Sequence, residues 1–83
     1  MIKQVHPVEP NLLYTVLQNF RDLVQDEEGA EVDLTDGVKV TWPDRWLHVR
    51  ASNTESLLRV IAEADTANGA RDLGDWARDR LRI

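Results

Sequence analysis

Between Val38 and Glu63 apolar and polar residues alternate in three successive runs, with only turn-length chain between them. Val38, Val40 and Trp42 alternate with Lys39 and Thr41, and Pro43-Asp44 makes the first turn. Leu47, Val49 and Ala51 then alternate with Trp46, His48 and Arg50. After a polar loop, Leu58, Val60 and Ala62 alternate with Arg59, Ile61 and Glu63. A period of two sends successive side chains to opposite faces of a strand. Strands joined this closely pair antiparallel, because a parallel return needs a crossover of a dozen or more residues. Each strand therefore presents one apolar face that something must cover.

The flanking sequence supplies the cover. Leu13, Val16, Leu17, Phe20, Leu23 and Val24 recur at spacings of three and four, which predicts an amphipathic helix. Asn11 is its expected N-cap, with Pro10 keeping the preceding backbone extended. A second helix is predicted after Thr66, with Ala70, Leu73, Trp76, Ala77 and Leu81 as its stripe. Gly69 and Gly74 weaken that helix by roughly 1 kcal/mol each, so it must lean on the sheet. Ile2 to Val8 reads as a short strand ended by Pro7 and Pro10. Gly29 closes the loop after the first helix, and Val32 and Leu34 lead to a turn at Asp36-Gly37. The expectation is one α+β domain over residues 1–83, in the order β-α-β-β-β-α. About four antiparallel strands would carry both helices on one face.

Composition narrows the chemistry. The chain has no cysteine, which removes disulfides, thiolate zinc sites and a cysteine nucleophile. Its apolar runs are far shorter than the ~20 residues a membrane span requires. The opening "MIKQVHPVEP" lacks the layout of a signal peptide, so no membrane association and a cytoplasmic location are expected. A net charge of −5 argues against nucleic acid as a partner. His6 and His48 are widely separated with no clustered third ligand, so no metal site is expected. The three tryptophans read as packing residues, and the acidic stretch around Asp26, Glu27 and Glu28 as a solvated loop.

The polar loop "VRASNTESLLR", Val49 to Arg59, is richer than a turn requires. A phosphate monoester near neutral pH carries about two negative charges and several acceptor oxygens. Arg50 offers a planar fork suited to two of those oxygens. Ser52 and Thr54 offer hydroxyls, Asn53 an amide, and a tight loop can turn its backbone N–H groups inward as an anion nest. Arg50, Ser52 and Thr54 are two apart and project to one side of an extended chain. Read from these residues alone, a phosphate site and a solvated turn with a surface arginine fit equally well.

Over a longer span a resemblance decides between them. "DGVKVTWPDRWLHVRASNTESLLRVIAEA", Asp36 to Ala64, resembles the C-terminal domain of the α-D-phosphohexomutases, the phosphomannomutase/phosphoglucomutase family. The family pattern has DG before an alternating strand, then W-x-hydrophobic-hydrophobic-R-x-S-[N/G]-T-E-P, L-R-hydrophobic and E-A. Asp36, Gly37, Trp46, Arg50, Ser52, Asn53, Thr54, Glu55, Leu58, Arg59, Glu63 and Ala64 match it. The resemblance implies a fold like that of TATA-box-binding proteins, in the last of four domains. It implies that Arg50, Ser52, Asn53 and Thr54 hold the non-reacting phosphate of a hexose phosphate or bisphosphate, with Glu55 and Arg59 as loop support. Arg59 is expected to pair with Glu55 or Glu63.

The same resemblance places the phosphoserine, the Mg2+ and the sugar-reading loop in other domains, which become the expected partners. No T-A-S-H-N-type phosphoserine stretch, D-x-D-x-D metal loop or Walker A pattern occurs here, so no catalytic residue and no cofactor is assigned to this chain. An isolated protein-interaction module that keeps the fold is the alternative. One residue departs from the pattern: Ser56 stands where the family has proline, which predicts a looser loop exit.

Overall fold

The computed structural model describes residues 1–52 and 54–83, so Asn53, assigned above to the phosphate loop, lies outside the described residues. The chain folds as β1 (Ile2–Pro7), α1 (Leu13–Val24), β2 (Glu31–Asp33), β3 (Val38–Trp42), β4 (Arg45–Ala51), β5 (Leu57–Glu63) and α2 (Ala67–Leu81). The five strands form one sheet in the order β1-β5-β4-β3-β2, antiparallel throughout. After β1 the chain crosses the sheet as α1, restarts at the far edge with β2, and returns strand by strand until β5 meets β1. The three alternating runs are the centre of that meander.

The sheet has one strand more than the sequence predicts. β2 spans three residues, with Glu31 and Asp33 exposed and only Val32 partly covered. Three residues are too few for a period of two to register. Carboxylates on an edge strand also discourage another chain from pairing there.

Both helices pack on one face. The core draws Val38, Val40 and Trp42 from β3, Leu47 and Val49 from β4, and Leu58, Val60 and Ala62 from β5. Phe20 and Val24 of α1 and Leu73, Ala77 and Leu81 of α2 close over them. Trp76 is half-buried and meets Trp42 edge to face, with ring centroids 5.6 Å apart and planes at 82°. Leu23, read as part of the α1 stripe, is half exposed, because it falls at the margin of the buried arc.

The helix ends repay separate comparison. Thr66 caps α2 as expected, its Oγ1 accepting from Gly69 N–H at 2.9 Å. Arg82 closes the other end in the left-handed conformation, its N–H donating to the Arg78 carbonyl. Gly74 is buried against β1, where a Cβ would stand 2.8 Å from Gln4 Nε2. That glycine lowers helix propensity and in exchange lets α2 approach the edge strand. Asn11 does not cap α1. Leu12 is the N-cap, without a side-chain bond, and its N–H donates to the Glu9 carbonyl at 2.9 Å. Pro10 therefore lies in a β-turn that runs into the helix, a position its fixed φ suits.

Candidate functional site

The open face of the sheet carries the residues that face away from the helices. Arg50 and Arg59 lie directly opposite each other on β4 and β5, and His48 and Lys39 stand opposite each other on β4 and β3. The two arginines so placed repel and lower the stability of the pair. Among the described residues the ion pairs are Arg45–Asp44 and Arg50–Asp36, so neither Arg59 nor the Glu55 carboxylate belongs to one. Neither of the partners expected for Arg59, Glu55 or Glu63, pairs with it, and Glu63 makes a different bond. Glu63 faces Trp46 across the strands and accepts from its indole N–H at 2.8 Å.

Arg50 projects from the end of β4 with its side chain 45% exposed. Its acidic partner among the described residues is Asp36, with Nη1 3.6 Å from the carboxylate, beyond hydrogen-bonding distance. The fork thus donates no hydrogen bond to any described residue and remains available to a ligand.

The loop beyond Arg50 is ordered from within. Ser52 Oγ accepts from Thr54 N–H at 3.4 Å and from Glu55 N–H at 3.2 Å. Two backbone donors therefore converge on one hydroxyl oxygen, whose own O–H stays available to an anion. Ser52 N–H donates to the Leu57 carbonyl, and Leu57 N–H to the Glu55 carbonyl, closing the loop base. Glu55 bonds within the loop through its backbone N–H and carbonyl.

Two residues that sequence reasoning left outside the site shape it. Ser56, expected to loosen the loop exit, instead fastens it: its hydroxyl donates to the Val8 carbonyl, and Val8 N–H donates to the Ser56 carbonyl at 3.0 Å. Proline there would keep the second bond and lose the first. Asp36, read as half of a turn, is the acid beside Arg50. Its backbone carbonyl accepts from His48 Nε2 at 2.6 Å. Gly37 holds φ +68°, and a Cβ there would lie 2.3 Å from the Val49 carbonyl oxygen, so only glycine lets this turn sit against β4. The DG step ahead of an alternating run was the available signal.

Among the described residues no group of three His, Asp or Glu side chains is gathered as a metal ion would require. Asp33 accepts from Thr35 N–H at 2.8 Å, and Thr35, through its side chain first and then this N–H, holds the Asp33 carboxyl below the usual range. Asp36 faces Arg50.

What the geometry describes is a pair of facing arginines and a polar loop at the lip of a sheet, with spare donors on the Arg50 fork. The model of "Phosphoglucomutase/phosphomannomutase, C-terminal domain" matches residues 7–79. The chain belongs to that family. A phosphoglucomutase/phosphomannomutase of Thermococcus kodakarensis is 40% identical over 57% of this chain and 10% of its own length. A "Probable phosphoglucosamine mutase" of Methanopyrus kandleri is 35% identical over 90% of this chain and 16% of its own length. One of the same description from Methanocella arvoryzae is 30% identical over 69% of this chain and 13% of its own length. The chain thus spans between 10% and 16% of the curated relatives it matches. The domain is α+β, and none of its described helices is long and apolar enough to cross a membrane.

Proposed function

We propose that this domain anchors the phosphate of a phosphosugar that is not reacting, while other domains of a phosphohexomutase carry out phosphoryl transfer. The observation that carries the reading is Arg50: a strand-end guanidinium with an unspent fork, beside Ser52, whose hydroxyl oxygen takes the Thr54 and Glu55 N–H groups and whose own O–H is left to donate. Arg50 supplies charge and bidentate geometry, Ser52 and Thr54 hydroxyls, and Asn53 an amide. Arg59, across from Arg50, adds a second positive charge to the same lip.

Holding a remote dianion turns binding energy into alignment of the far end of the sugar, where bonds break. The domain has no turnover of its own in this reading. The phosphoserine and the Mg2+ belong to the other domains, its partners in a cytoplasmic enzyme. This chain's residues bind and orient.

A few charge-assisted hydrogen bonds of ~1.5–3 kcal/mol each, set against several kcal/mol of association cost, leave an affinity of about millimolar. Titration of glucose 1-phosphate into the isotope-labelled chain, followed by amide NMR, should shift resonances from Arg50 to Thr54. Arg50→Ala should abolish the response. Shifts scattered over the surface that spare the loop, or a response that survives Arg50→Ala, would refute the anchoring role. Self-association with no response to phosphosugar would favour a protein-interaction module, for which the exposed Tyr14 and Leu34 are the starting surface.

A further inference from the structure

Arg50 and Arg59 face each other across the β4–β5 ladder, so mutual repulsion alone would scatter their side chains. The Arg50 guanidinium is nevertheless biased to one side. Asp36 ends the loop before β3, the neighbour of β4 on the edge away from β5, and its carboxylate stands 3.6 Å from Arg50 Nη1.

The Asp36 backbone is itself fixed where it meets β4. His48 Nε2 donates to the Asp36 carbonyl at 2.6 Å. Gly37, in its left-handed conformation, brings the turn against the Val49 carbonyl and the Arg50 Cβ. The acid is thus held at the root of the arginine by backbone contacts that do not involve its carboxylate. Those contacts separate the side chain's role from the turn's.

We infer that Asp36 is a positioning residue for the phosphate site. Resting on the anchoring role proposed above, it draws the Arg50 guanidinium to the β3 side, apart from Arg59. The two cations then flank an incoming phosphate instead of competing for one volume. At 3.6 Å the carboxylate steers Arg50 without consuming its hydrogen-bond donors. An anion therefore meets a fork already oriented, and less side-chain freedom is lost on binding.

The experiment has a built-in opposite. A carboxylate near a dianion repels it, so plain electrostatics requires Asp36→Asn to tighten phosphate binding. The positioning role requires it to weaken binding, by about two- to fivefold, the range an exposed ion pair supports. Inorganic phosphate and glucose 1-phosphate are titrated into the full chain and into its Asp36→Asn, Asp36→Glu and Arg50→Ala variants. The Arg50 Nε–Hε resonance is followed beside the backbone amides.

Weaker binding in Asp36→Asn, restored by Asp36→Glu, with a displaced Arg50 resonance and an unchanged unfolding midpoint, supports the inference. Unchanged or tighter binding in Asp36→Asn, while Arg50→Ala still abolishes it, overturns the inference and leaves the anchoring role standing. Binding that survives Arg50→Ala overturns both.

Discussion

The two ends of the sheet hold arginines in opposite conditions. At the β3–β4 turn Arg45 is spent: its Nη1 donates to Asp44 at 3.0 Å and its guanidinium lies 4.6 Å from the Trp42 ring centroid. Around it a hollow of about 390 Å3 is rimmed by Glu27, Asp44, Asp65 and Asp72, a field that repels phosphate. At the other end Arg50 has an acid within steering range and no described hydrogen-bond partner. That hollow is therefore poorly suited to hold a phosphate. Availability of donors, together with the sign of the surrounding charge, favours the Arg50 end for the proposed anchoring role.

The comparison breaks most visibly at the turns. Gly37→Ala places a side chain in a left-handed conformation and against the Val49 carbonyl, and should cost about 2 kcal/mol or more. Gly29→Ala has the same strain at φ +73° but open space around it, and should cost about 1 kcal/mol. Denaturant unfolding of both variants checks this; equal losses would mean that the turn does not press on β4. The arginines give the next largest contrast. Arg45→Ala should lower stability by about 0.5–1 kcal/mol through its lost ring and carboxylate contacts, and leave phosphate affinity unchanged. Arg50→Ala should do the reverse, and a shared response would erase the distinction between the two ends.

The smallest effect is one of pH. His6, on the helix-covered side of β1, has its pKa lowered from 6.5 first by burial and then by Arg78. The unfolded chain therefore holds that proton more tightly than the folded one. Its contribution to stability is complete above about pH 6.5 and is lost as pH falls through the lower folded value. His6→Gln should flatten that decline in thermal unfolding between pH 7 and 5, about the range in which histidine titrates. An unaltered profile would place the acid sensitivity in the carboxylates instead.

How much of this was legible depended on whether a residue signals by period or by partner. β3, β4 and β5 and the Thr66 cap follow from spacing and residue type, since alternation and capping are local, whereas the Arg50 loop needed the longer family resemblance to be read as a phosphate site. β2 was missed because three residues carry no period, and Asn11 lost the α1 cap to a backbone turn at Glu9–Leu12. Asp36 and Ser56 were undervalued for another reason. The value of each lies in a group distant along the chain, Arg50 for one and Val8 for the other. The Arg59–Glu63 pair was plausible by charge, and the indole of Trp46 took the carboxylate first.

The bond between Ser56 and Val8 joins groups 48 residues apart, whereas the turn and strands that carry Asp36, Arg50 and Ser52 are neighbours in sequence. Closing the longer loop has the larger chain-entropy cost, so β1 is expected to join after the central meander and to open before it. The loop that would hold phosphate is thus latched at its exit by a strand from outside that meander. Amide exchange at Val8 and Ser56 should report that opening before any loss of the central meander.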